Sequence, residues 1–315
     1  MLNQIPLRRC GFTYIKEISL IAKIECIPCI IDDIRGALEL LTDDEELKRR
    51  VMKKSLEYMA ENADLGKEPS IYITEVHRII KRVCKIELPF AQRREMCNQM
   101  GLQLAQRLRK TISGIGGYER FSLLARWSIA ANSLDFRTVG TGYDFDLDEL
   151  EKEMNAIADI LDVSHLPQIY EMIKSAEKVL FIHDNVGEIA IDKLLIEDIK
   201  GNGDTRVVAA VRGGPITSDA TIDDAQQVKL HESASEVIIA GPDTLGISFD
   251  EMSEDLIYEL SQADIVIVKG QANYYVFSEH KNQLRCPVVS LFRTKCPVVS
   301  NIFGHPENIS IAAVL

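Results

Sequence analysis

The chain of 315 residues lacks any long hydrophobic run. No stretch approaches the ~20 consecutive apolar residues that a membrane span needs, so a transmembrane helix is not expected. Near the start, Arg8 and Arg9 precede an apolar patch, but Lys16, Glu17, Lys23 and Glu25 interrupt it. The apolar core of a signal peptide does not carry such charges, and the expected location is the cytoplasm. Basic charge is also short. The 36 Lys and Arg face 48 Asp and Glu, for a net charge of −12. A nucleic-acid partner is therefore not expected, because phosphate backbones are bound by basic faces. The seven cysteines (10, 26, 29, 84, 97, 286 and 296) are scattered and odd in number. They suit a reducing compartment better than a disulfide framework. The six histidines show no metal-ligand spacing, and no Gly-x-Gly-x-x-Gly turn follows the first strong strand pattern. The second absence speaks against a dinucleotide or S-adenosylmethionine site of the usual glycine-rich kind. Internal repeats and low-complexity tracts are lacking too, and no signal for oligomeric state is present.

What remains is an ordinary globular composition, with 46% apolar and 27% charged residues, in a chain long enough for two domains. Residues 1–20 show no clear period and read as an irregular extension. Residues 21–131 read as a helical domain. Ile30, Ile34, Ala37, Leu38 and Leu41 fall on one helical face, and Thr42 with Glu45 has the spacing of a capping box for a second helix through Leu47, Val51, Leu56 and Met59. A third helix is expected over 71–83. A fourth is expected from Pro89 to Arg109, with the proline in its first turn, and a fifth through Leu124, Trp127 and Ala131. Gly140 to Tyr143 and an acidic run to Glu153 form a connection, followed by two short helical segments up to Ala176.

After Ala176 the pattern changes. Apolar runs at 178–182, 206–211, 236–240, 264–268, 287–292 and 309–314 are rich in Val and Ile and do not alternate. Such runs are strands buried on both faces of a parallel sheet. Helical patterns separate most of them, so residues 132–315 predict a Rossmann-like, doubly wound, mostly parallel α/β domain. Ligands of such sheets sit outside the carboxyl ends of the strands. The first strand runs into His183-Asp184-Asn185-Val186-Gly187-Glu188, and the second into Arg212-Gly213-Gly214-Pro215-Ile216-Thr217-Ser218-Asp219. The fourth leads to Lys269-Gly270-Gln271-Ala272-Asn273, and the fifth to Arg293-Thr294-Lys295-Cys296.

A single Asp-Asn pair at a strand end is more often a turn or a helix cap. A series of strand ends loaded with complementary charges is harder to assign to turns alone. Asp184 and Asp219, one β-α-β unit apart, are placed to reach one divalent cation, and their hard oxygens suit Mg²⁺ or Mn²⁺. Lys269 and Lys295 are then expected to face a substrate phosphate. Gly187 and the first turn of the next helix are expected to offer N–H groups to the same anion. His183 reads as a packing residue behind the site, and Trp127 as core.

Asp-Asn-x-Gly-Glu (184–188), Arg-Gly-x-Pro-Ile-x-x-Asp-Ala-Thr (212–221), Lys-Gly-Gln-x-Asn (269–273) and Lys-Cys (295–296) together resemble the metal-dependent damage-control phosphatases, formerly domain-of-unknown-function family 89. Ala131-Asn132-Ser133-Leu134-Asp135-Phe136 is similar to that family's Asn-x-x-Asp element, and Cys26-Ile27-Pro28-Cys29 resembles its archaeal and bacterial subgroup. The resemblance implies a helical N-terminal domain on a Rossmann-like domain, with Asp184, Asn185 and Asp219 as metal ligands. It implies a pocket lined by Asn132, Asp135, Glu188, Lys269 and Lys295. It also implies hydrolysis of small phosphorylated metabolites, sugar phosphates or damaged ones, with Mn²⁺, Ni²⁺, Co²⁺ or Mg²⁺. Ala272 stands where the family commonly has glycine, and Ser218 where asparagine is usual.

The expected chemistry is in-line attack by a metal-activated water, with Lys269 and Lys295 stabilising the transferring phosphoryl group. Glu188 and Asp135 are alternative groups to orient the water. Direct attack by an aspartate is less favoured, because Asp184-Asn185-Val186 is not the Asp-x-Asp of aspartyl phosphatases. Cys26 and Cys29 read equally as buried thiols or as part of a second metal or redox site. Two other functions are alternatives: a carboxyl methyltransferase using S-adenosylmethionine, and a non-catalytic metal- or ligand-binding protein.

Overall fold

The computed structural model describes residues 20–136, 146–201, 203–305 and 308–315. Apart from Leu20, the expected N-terminal extension lies outside the described residues, and so does the 140–143 connection. Five helices come first: α1 (Cys26–Leu41), α2 (Glu45–Asn62), α3 (Pro69–Cys84), α4 (Ala91–Thr111) and α5 (Gly117–Ala130). A 3-10 turn, Ala131–Leu134, leads to Asp135. Then follow α6 (Leu147–Ala158), β1 (Val163–Ser164), α7 (Leu166–Lys174), β2 (Lys178–Ile182), α8 (Glu188–Gly201), β3 (Arg206–Val211), α9 (Ile222–Gln227) and β4 (Glu236–Ile239). The chain ends with α10 (Glu254–Gln262), β5 (Ile265–Lys269), α11 (Gln271–His280), β6 (Val288–Arg293), α12 (Pro297–Ser300) and β7 (Ser310–Val314).

Two helix starts differ from expectation. The cap of α2 is Asp44, whose carboxylate accepts from Glu46 N and Leu47 N, while the Thr42 hydroxyl accepts only from Asp44 N. Asp44 directly precedes the helix, so it meets the free N–H groups that Thr42 is too far back to reach. In α4 the proline is not in the first turn, because Phe90, at φ 60°, separates Pro89 from the helix.

The strands form one seven-stranded sheet in the order β1-β7-β6-β5-β2-β3-β4. β2 to β6 are mutually parallel, and β7 runs antiparallel to β6. The two-residue β1 is too short to show a period in sequence, and strand direction at the β7 edge has no local signal. The winding goes β2-β3-β4 one way and β5-β6 the other, so it reverses between β2 and β5. That reversal is where a crevice opens at the strand ends of such sheets.

Alternate strand residues serve two cores. Val179, Phe181, Ala209, Ile267 and Leu291 face α4, α5 and α8, whereas Leu180, Ile182, Val208, Val266 and Phe292 face α10 and α11. Thus α5 and the second half of α4, although early in the chain, belong to the core of the sheet. A third core joins α1, α2 and α3, and Val186 from the β2–α8 turn inserts into it.

Candidate active site

Two backbone segments build the site. After β2, Val186 N–H donates to Ser218 O at 2.8 Å, and Ala220 N–H donates to Asp184 O at 2.7 Å. An isolated antiparallel bridge pairs Asn185 with Asp219. The side chains of Asp184, Asn185 and Asp219 are thereby gathered at the β2 and β3 ends, on the same rim.

Helix α4 fixes this rim from above. Gly187 has φ +73°, and a Cβ on it would lie 2.6 Å from Cys97 O. A Cβ on Gly101 would lie 2.2 Å from Gly187 O, so the α4 backbone rides directly on the turn. Arg94, 3% exposed, donates to Thr217 O and Asp219 O, both at 2.8 Å, and to Asp224 Oδ2. Asn98 Oδ1 accepts from Gly187 N at 2.8 Å.

This last bond corrects an expectation. The N–H groups of Val186, Gly187 and Ile189 are all bonded within the protein, to Ser218 O, Asn98 Oδ1 and Asn185 O. Asn98 of α4 takes the Gly187 donor, and the Ser218 and Asn185 carbonyls take those of Val186 and Ile189, the donors that an anion was expected to use.

The donor set is rich in carboxylate. Asp184, Asp219, Glu188, Asp135 and Asp192 are all buried, and the cations among them are Lys269, Lys295 and Arg212. Asp219 Oδ2 accepts from Thr217 Oγ1 at 2.7 Å. Its Oδ1 accepts from Gly246 N at 3.1 Å and faces Arg212 Nη2 at 3.3 Å. A carboxylate offers about four lone-pair sites, so one remains for a cation. Asn185 Nδ2 donates to Asp184 Oδ2 at 2.8 Å and Glu188 Oε2 at 3.3 Å, while Ser218 Oγ donates to Asn185 Oδ1 at 2.8 Å.

Burial, then repulsion by Glu188 and Asp219, pushes the Asp184 carboxyl well above the usual carboxylate range. Surplus negative charge among hard oxygens is what a divalent cation offsets, so the residues suit one. Among the described residues no three His, Cys, Asp or Glu side chains gather as a metal cluster. The proposed set has only two such carboxylates, with an amide oxygen as the third ligand.

Lys269 lies one layer deeper than a phosphate-facing group. It is fully buried and its Nζ donates to Ser128 O at 2.8 Å, to Asp192 Oδ1 at 3.1 Å and to Glu188 Oε1. An ammonium has three donors, and all three are used. Asp192 Oδ2 also meets His183 Nδ1 at 2.9 Å, behind the rim as expected. Burial alone would raise the Asp192 carboxyl, but Lys269 and His183 hold it below its ordinary value.

Lys295 is nearer the opening, with its side chain 28% exposed and paired to Asp135. Asn132 Nδ2 donates to Glu188 Oε2 at 3.4 Å, which places Asn132 and Glu188 side by side. The Lys-Gly-Gln-x-Asn run is a set of braces. Gln271 Oε1 accepts from Lys295 N at 2.7 Å, while Asn273 Nδ2 donates to Lys269 O at 2.8 Å and His183 O at 3.3 Å. Asn273 Oδ1 receives Ile247 N at 2.9 Å and Arg212 Nη2 at 3.2 Å. Ala272, the alanine within that run, is where a Cβ on Gly246 would make its closest contact, at 3.1 Å.

Sequence reasoning missed Arg94, Asn98, Arg212 and Asn273 as parts of this frame. Arg94 and Asn98 carried a signal, for they fall on the same buried helical stripe as Gly101, Leu104, Ala105 and Leu108. A charge on an apolar stripe needs a partner, and Asp224 is that partner.

The class of protein that this architecture defines is a Rossmann-like α/β enzyme with an acidic crevice at the reversal of its sheet. The chain belongs to the damage-control phosphatase ARMT1-like domain family, whose sequence profile matches residues 22–310. It is similar to a damage-control phosphatase of Archaeoglobus fulgidus, 29% identical over 92% of this chain and 98% of the relative. It is also similar to a damage-control phosphatase of Pyrococcus horikoshii, 27% identical over 90% and 94%. An uncharacterized protein of Methanocaldococcus jannaschii is 32% identical over 89% and 91%. The crystal structure of a DUF89 family protein from Pyrococcus horikoshii superposes with a TM-score of 0.82 at 25% identity, covering 93% of this chain and 98% of that one. The family is metal-dependent. No helix among the described residues is long and apolar enough to cross a membrane.

Proposed function

We propose that this chain is a metal-dependent phosphatase that hydrolyses phosphate monoesters of small metabolites, sugar phosphates or damaged phosphometabolites, in the cytoplasm. The observation that carries the reading is the backbone bridge between Asn185 and Asp219, which sets Asp184, Asn185 and Asp219 side by side at the reversal of the sheet. Asp184, Asp219 and the Asn185 carbonyl would hold one divalent ion, Mn²⁺, Ni²⁺, Co²⁺ or Mg²⁺. When bound, such an ion supplies Lewis-acid polarisation of a phosphoryl oxygen and lowers the pKa of a coordinated water.

The chain's own residues do the rest. Glu188, gripped by Lys269, Asn132 and Asn185, is fixed beside Asp184 and orients the attacking water. Lys295 sits nearest the mouth, and its partly exposed side chain turns the ammonium from Asp135 to a phosphoryl oxygen. Asn132 and Asp135 line the same wall and contact the substrate. Lys269 offsets the charge of Glu188 and holds it in place, and does not itself reach the phosphate.

The test is phosphatase turnover on a panel of sugar phosphates with each of the four metals. Asp184→Ala and Asp219→Asn should abolish metal-dependent turnover while the circular dichroism spectrum is retained. Full turnover in either folded variant refutes the ligand assignment.

A further inference from the structure

Cys26 and Cys29 are the first and fourth residues of α1. On a helix that spacing puts their Cα atoms about 5 Å apart on one face, inside the range that a disulfide spans. A third half-buried thiol comes from the far end of the chain. Cys296, directly before α12, has its Sγ 3.7 Å from Gln271 Nε2 and 3.8 Å from Tyr275 Oη. All three are free thiols, Cys29 exposed and the others half-buried. The phosphatase chemistry uses none of them.

We propose that Cys26 and Cys29 form a reversible disulfide, and that low-molecular-weight disulfides are its oxidising partners. One cysteine loses its proton and the thiolate attacks the small disulfide R–S–S–R, expelling R–S⁻, which takes up that proton. The second cysteine attacks the protein sulfur of the mixed disulfide in the same way and expels the other R–S⁻. Two protein thiols are oxidised, and one small disulfide is reduced to two thiols. Desolvation around the sulfur, then Asp33, Cys296 and Cys26, pushes the Cys29 thiol up to about 11. The exchange is therefore slow near neutrality and quickens as the thiolate fraction grows with pH.

The full chain is incubated with glutathione disulfide at mildly alkaline pH, quenched in acid and analysed by intact mass and peptide mapping. The expected product has lost two hydrogens through a bridge between Cys26 and Cys29. Cys26→Ser, which leaves Cys29 without its resolving thiol, should instead hold a stable glutathione adduct at Cys29. Stable adducts in the unsubstituted chain without a bridge overturn the proposal, and so does a bridge that maps to Cys84 or Cys286. Because the readout is mass, it stands or falls apart from the phosphatase reading.

Discussion

Gly270→Ala tests how the Asp184 carboxylate is seated. Gly270 has φ +81° and ψ 158°, a conformation that essentially only glycine adopts. A Cβ built there would lie 1.9 Å from Asp184 Oδ2 and 2.1 Å from its Cγ. Backbone strain at such a position costs about 1–3 kcal/mol, and overpacking in a tight interior costs about 1–3 kcal/mol more. The expected loss of stability is therefore about 2–6 kcal/mol, read as a fall in the urea midpoint. The carboxylate can escape the new methyl only by retreating about 1 Å, and a displacement of that size costs roughly 10²-fold in rate. Turnover of the folded fraction should thus fall about a hundredfold even where stability is partly retained. A Gly270→Ala protein with unchanged midpoint and unchanged turnover refutes both the contact and the role of Asp184.

Arg94→Ala strands Asp224 without its buried partner. Breaking such a pair costs about 3–5 kcal/mol, measured as a lower urea midpoint. Asp243 bridges the sheet side of the cleft to α3 through Lys81 Nζ and Arg78 Nε. Burial would raise its carboxyl, but Lys81 and Arg78 hold it below the ordinary 3.8. A depressed carboxyl contributes stability above its unfolded pKa and loses it as pH falls through the folded one. Asp243→Asn should therefore flatten the acid limb of a stability-versus-pH curve below about pH 4, and an unchanged limb rules the latch out. Burial, with Asp135 repulsion, pushes the Cys97 thiol up to about 12. Its alkylation should follow global unfolding in urea, and fast labelling of the native protein would contradict that.

Much of the fold was legible because buried parallel strands have a strong compositional signature. Unbroken apolar runs such as Val179 to Ile182 and Ile265 to Val268 have no polar face to turn to water, so they belong in the middle of a sheet. The candidate site was legible at the level of which strand ends carry charge, since Asp184, Asp219, Lys269 and Lys295 all follow apolar runs. Depth was not legible. Whether a lysine after a strand faces the cleft or the core depends on Ser128 and Asp192, which come from two different helices. Nor could the sequence indicate that α4 would cover the N-terminus of α8, because the backbone contact between Gly101 and Gly187 leaves no mark beyond two glycines. The α2 cap failed for a simpler reason: Asp44 and Thr42 both have capping side chains, and the spacing to Glu45 favoured the wrong one.

The two lysines of the site give the sharpest separation between framework and reaction. Lys269→Met would leave the buried Glu188 and Asp192 carboxylates without the ammonium that both now contact. Glu188 keeps the uncharged Asn132 and Asn185, and Asp192 keeps Ser128 and His183, none of which replaces an ammonium shared by the two. Removing one partner of a buried ion pair costs about 3–5 kcal/mol, so this variant should lose both stability and turnover. Lys295→Met removes the ammonium of a side chain that is 28% exposed and takes the ion-pair partner from one buried carboxylate, Asp135. The stability loss should be smaller than for Lys269→Met, because one buried carboxylate and not two loses its ammonium, while the loss of a phosphate-facing charge raises KM and lowers kcat/KM. Equal destabilisation by the two substitutions would mean that Lys295 is a structural brace like Lys269. Unchanged kcat/KM in Lys295→Met would leave the cleft without a cation of its own for the phosphoryl group, and the proposed order of the two lysines would have to be reversed.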